Sequence, residues 1–277
     1  RADVVVAALP GESPAGAAWE VVGPDGQASP AQRVGAAQVA FAPEGLPAFG
    51  YAAYTIRPTA APAENRLSVT PQRMENAFFV IELGADGTIT RLLDKRAERE
   101  VIPAGEVANR LQLFQDGPER EAAWNVHLTY AGREYAWDPG TAVEVVEAGP
   151  VRGIVRVTRT YRSSRLVQDI VIYDRVPRID FVTQADWQER QVMLKAAFPV
   201  DVRASEATYE IQFGAVQRPT HRNTSWDEEK FEVCAHRWAD LSEPGYGVSL
   251  LNDCKYGYDT LGHVLRLTLL RGTEYPD

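Results

Sequence analysis

Polar and aromatic residues crowd together between Arg218 and Trp238, where His221, Arg222 and Asn223 precede Trp226, the acidic run Asp227-Glu228-Glu229, and then His236, Arg237 and Trp238. These residue types suit sugar recognition. An indole face stacks on the C–H surface of a pyranose, and amide, imidazole and guanidinium groups take its hydroxyls. The stretch is too long for a plain hairpin turn, and long structured loops between strands often carry binding. The same composition also describes a surface loop whose tryptophans plug the end of a sandwich and whose acids are solvated. A second group follows Leu250-Leu251. Asn252, Asp253, Lys255 and Tyr256, at a tight turn before Gly257, could contact hydroxyls, or could form a hairpin tip closed by an Asx turn.

Other chemistries are poorly supplied. His127, His221, His236 and His263 stand far apart, and no pair has the His-x-x-x-His or Cys-x-x-Cys spacing that builds a metal site from one element, so no metal is expected within this chain. There is no Gly-x-Ser-x-Gly elbow, phosphate loop or dinucleotide fingerprint. Glycoside hydrolysis needs two carboxyl groups flanking the scissile bond, a geometry to which adjacent acids such as Asp227-Glu228-Glu229 cannot be assigned. No residue is therefore given a catalytic role. With 38 acidic against 29 basic residues and a net charge of −9, nucleic acid is disfavoured as a partner, because no surplus of cations neutralises phosphates. No apolar run approaches the roughly 20 residues that cross a bilayer. Arg1-Ala2-Asp3 does not open a signal peptide, which points to a cytoplasmic protein without a membrane span. Cys234 and Cys254 are expected to be free, buried thiols.

The elements that must position these residues read as strands. Val4 to Leu9, Trp19 to Val22, Gln38 to Phe41 and Tyr51 to Ile56 are short strands separated by turns at Pro10-Gly11 and Gly23-Pro24-Asp25-Gly26. A Pro/Ala stretch from Pro58 to Pro62 sets a boundary near residue 62. It divides a small, incomplete β domain with its linker (1–62) from a large β domain (63–277). Beyond it, Ala77 to Leu83 and Thr88 to Leu92 form a hairpin about Asp86-Gly87, a pair suited to the positive φ of tight turns. Further strands are expected at 111–114, 142–146, 153–161, 166–173, 178–187, 193–198, 207–213, 247–251 and 264–270. Residues 155–161 and 264–269 alternate with the period of two that marks a half-buried strand. No stretch carries twelve residues of helical period, so the fold class is all-β, a sandwich of two large antiparallel sheets.

The order of several blocks is distinctive: Glu75-Asn76-Ala77-Phe78, Leu93-Asp94-Lys95-Arg96, Asn109-Arg110-Leu111-Gln112-Leu113-Phe114, Trp187 with Leu194-Lys195, Tyr209 to Gly214, Arg218 to Asp227 and Leu251 to Gly257. In these blocks the chain resembles the carboxy-terminal β region of family 38 α-mannosidases, most closely the cytosolic and bacterial branch. The resemblance implies a super-sandwich of the galactose-mutarotase type that packs on an amino-terminal catalytic domain of the same polypeptide. That domain would hold the catalytic acids and zinc or another divalent metal, and would act on mannose-containing oligosaccharides with retention. The start without Met and the ending at Tyr275-Pro276-Asp277 agree with a piece of a longer protein, whose hidden apolar surface would here favour homo-oligomers. By motif match a rim role falls to Asn252, Asp253, Lys255 and Tyr256, and also to His221, Arg222 and Asn223. Two other readings stay open. One is a stand-alone carbohydrate-binding module using Trp226 and Trp238. The other is an aldose-epimerase-like enzyme, which needs a histidine and a carboxylate converging on one pocket, with His221 and His236 facing inward near an acid.

Overall fold

The computed structural model describes residues 3–9 and 17–274, so the turn expected at Pro10-Gly11 lies outside the described residues. Helix is confined there to the short α1 (Ser225–Glu228) and a 3-10 turn at Leu128–Gly132. Everything else regular is strand.

The first sheet holds β1 (Val5–Ala8), β2 (Ala18–Val22), β3 (Ala28–Val34), β4 (Gln38–Phe41) and β5 (Thr55–Thr59) in the order β1-β4-β3-β2-β5. Trp19, Val21, Val39 and Phe41 form its core. The strand expected at Tyr51 to Ile56 starts only at Thr55 and runs on through Pro58. Pro58 is tolerated because β5 is an edge strand, where a missing N–H leaves no ladder bond unmade. Gln32 of β3 joins this sheet to the next part of the chain. Its Oε1 accepts from the Val151 and Arg152 amides, both at 2.9 Å.

A second sheet is a meander of β6 (Ser68–Val69), β7 (Arg73–Glu75), β8 (Phe79–Leu83), β9 (Ile89–Asp94) and β10 (Arg99–Glu100). The Asp86-Gly87 turn closes β8 and β9 as expected, with Gly87 at φ 75°. Then come β11 (Arg110–Gln115) and β12 (Glu134–Tyr135), followed by a four-stranded meander of β13 (Ala142–Ala148), β14 (Arg152–Tyr161), β15 (Ser164–Tyr173) and β16 (Asp180–Asp186). β17 (Val192–Pro199) returns to β11. The rest of the chain supplies β18 (Glu206–Ile211), β19 (Gly214–Pro219), β20 (Val233–Cys234), β21 (Trp238–Glu243), β22 (Tyr246–Leu251), β23 (Gly257–Leu261) and β24 (Val264–Arg271). Two sheets result, β12-β11-β17-β24-β23-β20 and β19-β18-β21-β22.

Register shows how the layers meet. Leu194 and Ala196 of β17 oppose Leu113 and Leu111 of β11, and Ala196 opposes Leu267 of β24, so all five share one face. On that face Leu111, Leu113 and Leu194 pack against Tyr161 and Leu166 of the β13–β16 meander, while Leu265, Leu267 and Tyr258 pack against Tyr209, Ala239 and Leu241 of the β18–β22 sheet. The β6–β10 meander buries Ile81 and Ile89 against Val155, Val157, Ile170 and Ile172. An Ile89–Ala108 bridge carries it on to the six-stranded sheet. The strands from β6 to β24 thus form two layers of antiparallel sheet. The opposite face of the six-stranded sheet carries Gln112, Lys195, Arg266, Thr268 and Asp259 in register. That polar face is covered by chain excursions rather than by another sheet.

Candidate functional site

The Arg218 to Trp238 stretch separates into parts. β19 ends at Pro219 and β21 begins at Trp238, which leaves an excursion of residues 220–237. Thr224 starts α1 in extended geometry, its hydroxyl accepting from the Asp227 amide at 3.2 Å and donating to Asp227 Oδ2 at 2.8 Å. Asp227 also lies 3.7 Å from His221 Nδ1 and 3.9 Å from Lys230 Nζ, so this acid ties the loop to itself. Glu228 and Glu229 are exposed, and Trp226 is 81% exposed.

The second group sits on the turn between β22 and β23. Asn252 Nδ2 donates to the His236 carbonyl at 3.0 Å and to the Tyr258 hydroxyl, while Oδ1 accepts from the Cys254 amide at 2.9 Å and from the Lys255 amide. This is the Asx turn, and it engages both ends of the Asn252 amide inside the protein. Asp253 and Tyr256 remain open to solvent and Lys255 is half-buried. A hydrogen bond from the Cys254 thiol holds the Asp253 carboxyl below its ordinary range. The Tyr256 ring meets His236 edge-on with centroids 5.5 Å apart.

The Asn252–Tyr256 turn therefore meets residues 235–237, with Ala235 N donating to the Tyr256 carbonyl at 3.0 Å and Asn252 N to the Arg237 carbonyl at 2.8 Å. His221, Arg222 and Asn223 are elsewhere. The Thr220 carbonyl accepts from Gly262 N at 2.6 Å, at the Leu261 end of β23, whereas the turn precedes the Gly257 end. His221 is exposed beside Asp227, and His236 meets Tyr256 rather than an acid, so neither histidine has the inward-facing carboxylate that epimerase chemistry asks for. His263 Nε2 does lie 2.8 Å from Glu106 Oε1, yet both are about 40% exposed, and His263 lines an open surface depression with Val202–Ser205. Cys234 and Cys254 are free, as expected, but exposed rather than buried, because both fall on the surface where these loops meet. Among the described residues no three His, Cys, Asp or Glu side chains gather to hold a metal ion, and no helix is long and apolar enough to cross a membrane.

One constellation has no counterpart in the sequence reading. Lys195 is fully buried in β17. Its ammonium touches Glu232 of the 220–237 excursion, lies 2.6 Å from Asp259 Oδ2 and donates to the Tyr130 hydroxyl at 3.2 Å. Arg266 binds the other oxygen of Asp259 at 2.6 Å, and Tyr130 donates to Glu232 Oε1 at 2.6 Å. Two cations and two carboxylates thus share one buried patch. Burial raises Glu232 above the ordinary carboxylate range; Lys195 opposes that and the charge of Asp259 adds to it. Burial, with Glu232 beside it, also raises Tyr130, which stays a protonated donor. The signal in the sequence was a single lysine within the apolar run Val192-Met193-Leu194-Lys195-Ala196-Ala197, and strand period alone assigns such a residue to neither solvent nor core.

Residues 74–277 match the family model described as the glycosyl hydrolases family 38 C-terminal domain. Alpha-mannosidase G of Dictyostelium discoideum is 41% identical over 210 residues, 74% of this chain and 19% of its own length. Alpha-mannosidase 2C1 of Homo sapiens is 42% identical over 207 residues, 74% of this chain and 20% of its own length. The chain therefore spans about a fifth of the length of these curated relatives. Among solved structures, an alpha-mannosidase from Enterococcus faecalis V583 aligns over 99% of this chain and 38% of its own, with a TM-score of 0.70 at 12% identity, a likeness of fold.

Proposed function

The chain belongs to glycosyl hydrolase family 38, carrying its C-terminal domain, and from that membership we propose that it is the scaffold and rim of an α-mannosidase that removes terminal α-linked mannose with retention. The observation that carries this reading is the family match over residues 74–277 together with relatives called alpha-mannosidases, of which the chain spans only about a fifth. The remainder would supply an amino-terminal catalytic domain on which this one packs. In a retaining reaction one carboxylate attacks the anomeric carbon to give a glycosyl-enzyme and a second carboxyl group protonates the leaving oxygen. Both carboxyl groups, and a divalent metal that grips sugar hydroxyls, belong to that other domain in this reading.

What this chain would contribute is apolar contact and a polar rim. Phe213 at the β18–β19 tip and Leu251 at the end of β22 are exposed at the same end of one sheet, and exposed Tyr256 follows on the next turn. The end of the sheet is therefore suited to an apolar partner surface. Beside it stand Asp253, Lys255 and Tyr256 as side chains open to sugar hydroxyls, with Asn252 holding their turn in shape. His221, Arg222 and Asn223, on the far side of β23, form a separate and smaller contribution. Two exposed free thiols fit a reducing, cytoplasmic location.

The test is hydrolysis of an aryl α-mannoside by the 277-residue chain and by the longer polypeptide, each with zinc or cobalt and with a chelator. Turnover by the longer protein alone, abolished by the chelator, is the expected result. Chelator-sensitive turnover by the short chain would overturn the assignment of catalysis to another domain.

A further inference from the structure

We infer that Lys195 is a positioning residue for the sugar rim, acting through Glu232 on the segment that carries His236 and Arg237; this rests on the rim reading proposed above. The lysine projects from the polar face of the six-stranded sheet and is fully buried there, although no sheet packs on that face. Two excursions cover it. The segment before β12 brings Tyr130, whose ring meets Phe114 edge-on at 5.1 Å, and the 220–237 excursion brings Phe231 and Glu232. Their common junction is the Lys195 ammonium, in contact with Glu232 and the Tyr130 hydroxyl.

From there the path to the rim is short. Glu232 immediately precedes β20, which pairs with β23 through Val233–Tyr258 and Cys234–Gly257. Ala235 and His236 then hold the Asn252–Tyr256 turn through the Ala235 amide, the His236 carbonyl and the His236–Tyr256 ring contact. β20 is only two residues long and sits at the sheet edge, so its own ladder bonds cannot fix this path. A buried charge contact resists displacement more strongly, because separating the pair leaves an uncompensated charge in a dry site. The junction also carries a cost: Gln112 Oε1, Arg266 Nε and Thr268 Oγ1 are buried on the same face with no hydrogen-bond partner in the protein. A packing role alone would be served better by apolar side chains. The buried lysine is explained by the need to fix one height and angle for the covering segment.

The experiment compares the full-length polypeptide with Lys195→Met and with Lys195→Met/Glu232→Gln. Asp259 still balances Arg266 in the double variant, which keeps the test open if the single variant fails to fold. Hydrogen exchange over residues 231–238 and 252–257, melting temperature and aryl α-mannoside kinetics are read together. Expected for the double variant are a melting temperature near that of the parent, faster exchange in both segments, and KM raised about tenfold with kcat little changed, as for loss of one good polar contact. A double variant in which exchange and KM both match the parent would overturn the inference, since charge balance alone would then have mattered. Faster exchange with unchanged KM would leave Lys195 as the residue that positions these segments and would remove the rim reading instead.

Discussion

Asp94 closes β9 by accepting from the Arg96 amide and Arg96 Nε, both at 3.0 Å, and from Arg96 Nη2 at 2.7 Å. Those bonds hold its carboxyl below the ordinary aspartate range, led by the Arg96 side chain. A carboxyl whose folded value is depressed contributes stability that is present above its unfolded value and lost as pH falls through the folded one. Asp94→Asn should therefore lower the melting temperature at neutral pH and leave a smaller further loss between pH 4 and the acid transition than the parent shows, a window set by the 3.8 of an ordinary aspartate. Parallel acid-limb slopes for the two proteins would contradict the assignment. At this scale the sequence was legible where a side chain acts on its own turn. Asn252 in its Asx turn is the clearest case, since the alternatives read from Asn252 to Gly257 already included it. It was not legible where a side chain acts across strands. Lys195, Glu232 and Asp259 are separated by tens of residues, and the pairing of β17 with β24, of β24 with β23 and of β23 with β20 brings them together.

Among the elements, hairpins with a turn signature were legible, and Gly87 shows that the signature hides a second constraint. The Asp86-Gly87 turn needs φ 75° at Gly87, and a Cβ there would stand 2.5 Å from Val157 Cγ1 on β14, across the sandwich. Gly87→Ala should thus cost about 1–3 kcal/mol through overpacking, in addition to the strained backbone. Chemical denaturation of that variant should give a lower midpoint with an unchanged slope, whereas an unaffected midpoint would mean that Val157 yields freely. Gly149 is placed likewise, with a Cβ falling 2.4 Å from Gln32 Cδ, so Gly149→Ala should loosen the first sheet from the β13–β14 turn. Limited proteolysis within residues 60–66 would report that loosening. Other elements left no mark on the sequence. β10, β12 and β20 have two residues each, shorter than one period of alternation. β3 carries Pro30, an ordinary strand breaker, which is accommodated because β4 pairs with β3 only from Ala31 onward. Phe213, expected inside a strand, lies instead at the two-residue β18–β19 turn with φ 59°.

The molecule as a whole combines a closed sandwich with an open end. The two-layer architecture follows from alternation in the long strands, and each layer spends its apolar face on the other. Large apolar side chains are left exposed at several places, Phe49, Tyr51, Trp124 and Trp226 among them, and one group lies where β18, β19, β21 and β22 end: Phe213 is exposed at a positive φ uncommon for so bulky a side chain, Leu251 is 63% exposed and Tyr256 is 57% exposed. A large aromatic held in that conformation with no intramolecular contact to offset it is a poor choice for a surface that meets only water. It is a sound one for a surface that meets another protein surface. In the function proposed above, a catalytic domain would occupy this end. Without one, the patch should pair with itself in spite of the net charge of −9, which opposes association at low ionic strength and is screened as salt is added. Sedimentation of the 277-residue chain should accordingly show mass rising with protein and salt concentration. Phe213→Ser combined with Leu251→Ser should return it to a monomer with little change in melting temperature, because neither side chain belongs to the core. If association persisted in the double variant, the exposed end of the β18–β22 sheet would not be the contact, and docking would have to be sought on another face. If the variant became monomeric yet left the longer polypeptide fully active and stable, self-association and domain packing would use different surfaces.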